Sequence, residues 1–493
     1  MVKHKIYGPP GTGKTTRLIE LLAQEIENGI PTQRIAFLTF TKAARIEALS
    51  RTEKKESDFP YLRTIHSICY RQLGISRDQI VATHELQTFG RFMSIPLRGG
   101  IADPWVEEFE RNWVAPTRED LLLQINHSGR HRGLLLKESL KEANCDIDYK
   151  YAVWFTKAYR AWKETRGLVD YTDLLMKYLD FGKPLDVDVL FVDEAQDLSP
   201  LQWEVIDKLS AKAKKMYICG DDDQAIFKWA GADSSSFQNY ATDTEEILHQ
   251  SYRISKAVHE VAMRLASKIK VRVPKDYLPT SSEGEVITVD NLQSADFSKK
   301  TFVLFRNNYR GDVLSSALNG MGVPYIGKGS PLSDYRVREA LYCWYKLIKN
   351  GEITREECRK LLRYANKDYT FYDYRRLPNK AIFTLSEVFA NPPKWMWWKE
   401  YLSKLPDKHI IEHFIKVSGF LRTARPKVEL MSMHQSKGRE AHTVIIDKEI
   451  SKAVYDSTLH DSDDEYRVFY VAVTRAKERI IFVMAEGNYE FGI

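Results

Sequence analysis

The stretch Val2-Lys3-His4-Lys5-Ile6-Tyr7-Gly8-Pro9-Pro10-Gly11-Thr12-Gly13-Lys14-Thr15-Thr16 decides how this chain is read. Val2 to Tyr7 fits a short strand that runs straight into a glycine-rich turn, and Thr15 to Asn28 is expected to be an amphipathic helix ended by Gly29. Gly8 to Thr15 matches G-x-x-x-x-G-K-[ST] where its mechanism needs it, after a strand and before a helix. Glycines there let backbone N–H groups wrap phosphate oxygens at the positive helix end. Lys14 can reach the β- and γ-phosphates, and the Thr15 hydroxyl can ligate Mg2+. The competing reading is a glycine-rich turn without a nucleotide, and the flanking strand and helix weigh against it.

Outward from that loop, Ile35 to Phe40 is a second strand-like run that leads into the helical pattern of Lys42 to Arg51. Strand, loop, helix, strand, helix is the α/β signature of a parallel sheet. Val189-Leu190-Phe191-Val192 followed by Asp193-Glu194 reads as a buried parallel strand ending in two acids at the carboxyl edge, where such sheets bind ligands. Asp193 would hold Mg2+, usually through water, and Glu194 would orient and deprotonate an attacking water. Alone, an acidic pair after a strand is more often a solvated turn; a phosphate loop upstream reverses that preference.

The chain has 493 residues, 73 Lys+Arg against 67 Asp+Glu and 43% hydrophobic residues. At roughly 100–200 residues per domain this predicts two to four domains. The 28% charged and 12% aromatic fractions exclude a mostly disordered chain. A net charge of +6 on this length does not by itself announce nucleic acid. Cys69, Cys145, Cys219, Cys343 and Cys358 stand singly with no C-x-x-C pair, and are expected to be buried thiols in a reducing compartment. There is no apolar stretch of signal-peptide length and no 18-residue uncharged apolar run. The expectation is a soluble cytoplasmic protein with no membrane partner, in the host cytoplasm if the gene is carried by a phage.

From about Tyr70 to Arg166 the pattern is helical and charged, with Trp105, Trp113, Trp154 and Trp162 as packing anchors. Strand patterns return at Val187–Val192, Met216–Cys219, Val286–Val289 and Phe302–Phe305, so a second α/β unit is expected from near residue 246. A second helical, aromatic-rich block runs from about Ser333 to Leu421, and strands resume at Val428–Met433 and Thr443–Ile446. The cluster Trp395, Trp397, Trp398 is read as packing within that block, since indoles dominate cores.

Asp193-Glu194-Ala195-Gln196-Asp197 and Gly220-Asp221-Asp222-Asp223-Gln224-Ala225-Ile226-Phe227-Lys228-Trp229 together resemble superfamily 1 helicases of the UvrD/PcrA/Rep type. In the family's order, Thr39-Phe40-Thr41-Lys42-Ala43-Ala44 looks like motif Ia, Thr64-Ile65-His66-Ser67 like Ib and Asp170-Tyr171-Thr172-Asp173-Leu174-Leu175 like Ic. Gln250-Ser251-Tyr252-Arg253 looks like motif IV, Leu304-Phe305-Arg306-Asn307 like IVa, Met433 to Glu440 like V and Tyr470 to Ala476 like VI.

The resemblance implies an α/β fold with two RecA-like P-loop NTPase cores, parallel sheets flanked by helices, each with a helical insertion. Core 1A would be residues 1–69 and 165–245 and insertion 1B 70–164; core 2A would be 246–332 and 425–493 and a reduced insertion 2B 333–424. It also implies ATP and Mg2+, with Gly8, Pro9, Pro10, Gly11, Thr12, Gly13, Lys14, Thr15 and Thr16 around the phosphates and Thr15 and Asp193 at the metal. Glu194 would be the base, Gln224 would sense the γ-phosphate, and Arg253 and Arg475 would reach it from the second core across a closing cleft. Tyr252 would stack on adenine and Glu440 would bind the ribose, although a helix-surface glutamate is the equal alternative. For single-stranded DNA the candidates are Thr39, Phe40, Thr41, His66, Phe227, Trp229, Arg306, Asn307 and His434, combining aromatic faces with polar groups. Phe40 ends an apolar strand run and could be core, a lone His66 is more often structural, and Trp229 is the leading stacking candidate.

Some positions depart from the family pattern. Seven residues precede Gly8, which leaves no room for the upstream glutamine motif and leaves base selectivity open. Ala230 stands where the family usually has Arg, Arg439 where it has Leu, and no Asn precedes Lys42. The chain stops 18 residues after Arg475, with Tyr489 and Phe491 the aromatics left to serve as a separation pin. The expected function is an ATP-dependent helicase or translocase moving 3′ to 5′ on single-stranded DNA, with translocation better supported than duplex opening. Its partners would be single-stranded and tailed duplex DNA, with a protein partner at a replication, repair or defence complex. The alternative is a DNA-dependent ATPase subunit that regulates a partner nuclease or defence complex without unwinding alone. A P-loop kinase or clamp-loader-type ATPase is disfavoured by Tyr252-Arg253 and Thr474-Arg475, and RNA stays open as a substrate.

Overall fold

The computed structural model describes residues 1–38, 56–99, 117–143, 145–390 and 398–492. Thr39, Phe40, Thr41, the helical pattern Lys42 to Arg51, Trp105, Trp113, Trp395 and Trp397 lie outside the described residues. The chain forms two compact units. The first is Met1–Ile254 with Met263–Ser281 and Ser462–Tyr470; the second is Ser255–Ala262, Ser282–Asp461 and Val471–Ile493.

The first unit is built on strands β1 (Val2–Tyr7), β2 (Ile35–Leu38), β3 (Tyr61–Arg63), β4 (Val189–Val192), β5 (Lys215–Gly220) and β6 (Thr244–Ile247). They form one sheet in the order β3-β2-β4-β5-β1-β6, and every pairing is parallel. Ile-Ala-Phe-Leu in β2 and Val-Leu-Phe-Val in β4 are buried at each position, as expected of central strands covered on both faces. Alternation along β1 sends Ile6 and Tyr7 to opposite faces. Ile6 packs with Leu18, Leu22, Phe37 and Phe191 beneath helix Lys14–Glu27. Tyr7 packs with Leu38, Leu190 and Ile218 and with helices Tyr171–Phe181 and Pro200–Leu209. Because β4, β5 and β1 are neighbours, the loops after Val192, Gly220 and Tyr7 share one edge of the sheet.

Between β3 and β4 the helices Thr83–Met93, Arg118–His131, Leu136–Glu142 and Tyr149–Arg166 enclose a core of their own around Phe89, Phe155, Tyr159 and Trp162. Trp162 is an anchor as expected, whereas Trp154 is 43% exposed, its ring tilted against Tyr151 with centroids 5.4 Å apart.

The second unit has strands β7 (Glu285–Val289), β8 (Thr301–Phe305), β9 (Tyr325–Gly327), the short antiparallel pair β10 (Ile353–Thr354) and β11 (Ile382–Phe383), then β12 (Val428–Ser432), β13 (Ala441–Asp447) and β14 (Ala476–Val483). Six of them form a second parallel sheet in the order β7-β14-β13-β8-β12-β9. Its core runs on into the helical block, where Trp344, Phe389, Trp398 and Tyr401 pack together. Trp398 is thus core. Phe491 is buried, which removes it as an exposed pin. Four of the five cysteines are buried, Cys145 is half-buried, and all five are free. Among the described residues no helix is long and apolar enough to cross a membrane.

Candidate active site

The loop after β1 has the backbone its sequence implies. Gly11 and Gly13 take positive φ of 74° and 81°, a region that residues with a Cβ avoid. A Cβ on Gly11 would lie 2.4 Å from Arg253 Cβ, and one on Gly8 would lie 2.0 Å from Lys14 Cγ. The Thr12 hydroxyl donates to the Pro9 carbonyl at 2.8 Å and closes the turn. Lys14 Nζ donates to the Gly8 carbonyl at 2.7 Å, so the ammonium is held over the loop at the start of helix Lys14–Glu27. Thr16 lies beside Gly13.

Asp193 follows β4 at the same edge and is 2% exposed. Its carboxylate accepts from the Thr15 hydroxyl at 3.1 Å and from the Glu194 N–H at 2.9 Å. Burial, reinforced by the Glu194 charge, raises the Asp193 pKa well above the usual carboxylate range, and Lys14 opposes the shift. Glu194 sits in the left-handed region at φ 53°, an uncommon conformation for a residue with a side chain and one often found at functional sites. Its carboxylate accepts from Gln196 Nε2 at 2.6 Å.

After β5 the backbone N–H of Gly8 bonds the Gly220 carbonyl at 2.9 Å, tying the phosphate loop to the next loop. Gln224 is buried and donates to Asp221 Oδ2 at 2.6 Å. Asp221, Asp222 and Asp223 are each fully buried, an arrangement that requires buried countercharge. Lys275 supplies it, with Nζ 3.3, 2.5 and 3.0 Å from the three carboxylates. Arg272 forms a two-pronged pair with Asp223 at 2.8 and 2.6 Å. Burial alone would lower the Lys275 pKa, but the three aspartates outweigh it and keep the amine charged. The sequence reading missed Lys275, Arg272 and Gln196. The run of three aspartates was the available signal, because it calls for a cation, but nothing in it says where along the chain the cation lies.

The segment Gln250–Arg253 lies directly on the phosphate loop. Ser251 Oγ donates to the Pro10 carbonyl at 2.8 Å, and the Tyr252 N–H donates to the Gly11 carbonyl at 2.8 Å. The Tyr252 ring is 76% exposed, while Arg253 is half-buried against Gly11. Arg253 therefore belongs to the first compact unit, whereas the resemblance implies that it comes from the second core. Arg475 belongs to the second unit and is 2% exposed. There its Nε donates to the Val471 carbonyl at 2.9 Å and its Nη2 to Thr474 Oγ1 at 3.2 Å. Glu440, also in that unit, pairs with Lys477 at 2.5 Å.

Among the nucleic-acid candidates, Phe227 and Trp229 are half-buried neighbours with ring centroids 6.3 Å apart at 67°. Gly231, at φ 103°, closes their turn, and a Cβ there would lie 2.7 Å from His131 Cβ, so helix Arg118–His131 backs the loop. His66 is 8% exposed, meets Tyr171 edge-on, and is held neutral by burial, which lowers its pKa to about 4. That interior position suits the structural alternative, while a phosphate or sugar contact by His66 stays a proposal. In the second unit Ser432 pairs in register with Phe305, which brings His434 and Arg306-Asn307 together at adjacent strand ends. Burial, with Arg306 and Lys437 nearby, lowers the His434 pKa to about 3, so it too is neutral. Asn307 Oδ1 accepts from the Ser451 N–H at 2.9 Å.

Thr15 and Asp193 fit a small hard cation: a hydroxyl and a carboxylate oxygen converge where burial and the Glu194 charge disfavour the bare carboxylate, and Mg2+ needs few protein ligands once phosphates and water supply the rest. A glycine-rich loop between a strand and a helix, with acids at the ends of the adjoining parallel strands, defines a P-loop NTPase with a second parallel α/β unit in the same chain. Family comparison narrows the class. The model of the UvrD/REP helicase N-terminal domain matches residues 2–245, and that of the UvrD-like helicase C-terminal domain matches residues 404–487. The chain belongs to the UvrD/PcrA/Rep-like helicase family. It is 24% identical over 609 aligned positions to the ATP-dependent DNA helicase PcrA of Staphylococcus epidermidis, covering 99% of this chain and 82% of that protein. It is 21% identical over 617 positions to the probable DNA helicase II homolog of Mycoplasma capricolum, covering 98% and 82%. It is 23% identical over 389 positions to PcrA of Staphylococcus aureus, covering 70% and 52%.

Proposed function

We propose that this protein is an ATP-dependent DNA helicase or translocase that moves 3′ to 5′ on single-stranded DNA. The observation that carries the reading is the meeting, at one sheet edge, of the phosphate loop, Asp193-Glu194 and Gln224, with Ser251 and Tyr252 bonded to the loop itself. Loop N–H groups and Lys14 bind the triphosphate, and exposed Tyr252 offers its face to the adenine. Thr15 and Asp193 would hold Mg2+, which would supply neutralising charge to the triphosphate. Glu194 takes the proton of the attacking water, and Gln224 orients around the γ-phosphate. Arg253, beside Gly11, stabilises charge on the transferring phosphoryl group, and Arg475 serves as a second arginine for that charge. For Glu440 to bind the ribose it must exchange Lys477 for the sugar hydroxyls. Single-stranded DNA stacks on Trp229 and Phe227 and meets Arg306, Asn307 and His434.

The test compares duplexes carrying a 3′ or a 5′ single-stranded tail under identical ATP conditions. Opening of the 3′-tailed substrate alone supports the proposed direction; opening of the 5′-tailed substrate alone overturns it.

A further inference from the structure

We propose that Gln196 is a positioning residue for ATP hydrolysis, setting the Glu194 carboxylate and fixing it to the loop that carries Gln224. Gln196 is 0% exposed. Its Nε2 donates to Glu194 Oε2 at 2.6 Å and also approaches Asp197 Oδ2 at 3.3 Å. Its Oε1 accepts from the Asp221 N–H at 2.9 Å. The two partners fix the amide orientation without ambiguity: a carboxylate can only accept there, and a backbone N–H can only donate. From Asp221 the chain of bonds continues through Oδ2 to the Gln224 amide, and Lys275 lies behind Asp221 at 3.3 Å. The side chain thus spans two catalytic loops that leave adjacent strands β4 and β5.

The surrounding backbone is shaped to admit this amide. A Cβ on Gly220 would lie 2.6 Å from Gln196 Oε1, so β5 has to end in glycine for the contact to form. Glu194 is also in the left-handed region at φ 53°. A general base held in a sparsely populated conformation needs something to fix its side chain, and the Gln196 bond is short and charge-assisted. Displacement of a reacting group by about 1 Å costs on the order of 100-fold in rate. Loss of this bond should therefore appear in turnover and leave nucleotide affinity nearly unchanged, because no atom of Gln196 contacts the phosphate loop in the bonds described.

The inference rests on Glu194 acting as the base of the proposed ATPase. Its test is steady-state ATP hydrolysis with saturating oligo-dT by wild type, Gln196→Glu and Gln196→Met, with thermal melting of each. Gln196→Glu keeps the acceptor for Asp221 but sets a second carboxyl against Glu194; Gln196→Met removes both bonds, adds no charge and keeps the volume. The expected result is a fall in kcat of about 30-fold or more in both variants, with KM for ATP within about twofold of wild type. Either variant retaining kcat within about twofold, or a fall in kcat matched by an equal rise in KM, overturns the inference. If Gln196→Met fails to melt as a folded protein, the uncharged Gln196→Asn, whose amide stops one methylene short of Glu194, is read by the same criteria in its place. Absence of DNA stimulation in wild type would count against the helicase reading, and the kcat-against-KM split is then read in unstimulated hydrolysis.

Discussion

Gly11 is where the phosphate loop and the Ser251–Arg253 segment come closest. Its φ of +74° and the 2.4 Å approach of a Cβ to Arg253 act together against any side chain. Gly11→Ala should weaken ATP binding by about tenfold or more, by displacing the backbone that wraps the phosphates; titration with a fluorescent ATP analogue measures it. Tyr252 makes a separate contribution. With the ring 76% exposed and its N–H anchored to Gly11, Tyr252→Ala should raise KM for ATP by about 3- to 10-fold through lost stacking, with little change in kcat. Unchanged KM would remove Tyr252 from the base-binding role.

At the scale of elements, the loop after β5 depends on a cation from elsewhere in the chain. Lys275 reaches three fully buried carboxylates, and removing one partner of such a network leaves uncompensated charge in the interior. Lys275→Met should lower stability by about 3–5 kcal/mol, read from denaturant unfolding of the full chain. A loss below about 1 kcal/mol would show that the aspartates relax into water.

The same loop shows what the sequence could and could not convey. β1 and helix Lys14–Glu27 were legible within a residue because a short strand-like run passes through a glycine turn into a helical period. β2, β4, β5, β7, β8, β12 and β13 were legible as apolar runs. β6 was not, because Thr-Glu-Glu-Ile at a sheet edge carries no apolar signal, and β14 opens on Ala-Lys-Glu-Arg before its apolar half begins. β3 and β9 span only three residues each. That the phosphate loop, Asp193-Glu194 and Gln224 each follow a parallel strand was readable because those patterns are local. Gln196 and Lys275 were not assigned, because their value lies in contacts to residues 25 and more than 50 positions away.

For the whole molecule, buried histidines set a pH dependence. In the first unit, burial lowers the pKa of His66 and His127 to about 4 and that of His131 to about 3. Unfolded imidazoles protonate near 6.5, so below that pH the unfolded chain binds protons that the folded unit refuses. Stability should be full above pH 6.5 and fall towards pH 4, at about 2 kcal/mol per histidine by pH 5. Melting temperatures measured from pH 7.5 to 5 should decrease steadily, and His131→Gln should flatten the slope while loss of the 2.8 Å bond to Ser199 lowers stability at every pH. A flat profile in the wild type would show that these imidazoles reach solvent.

The central claim is that hydrolysis by the Asp193-Glu194 edge is coupled to single-stranded DNA. The most direct measurement is the ATPase rate with and without single-stranded DNA, for wild type and Glu194→Gln, run beside unwinding of a 3′-tailed duplex. The account predicts stimulation of wild type by DNA, loss of about 100-fold or more in Glu194→Gln, and opening of the duplex only by wild type. Hydrolysis indifferent to DNA, or undiminished in Glu194→Gln, would contradict it.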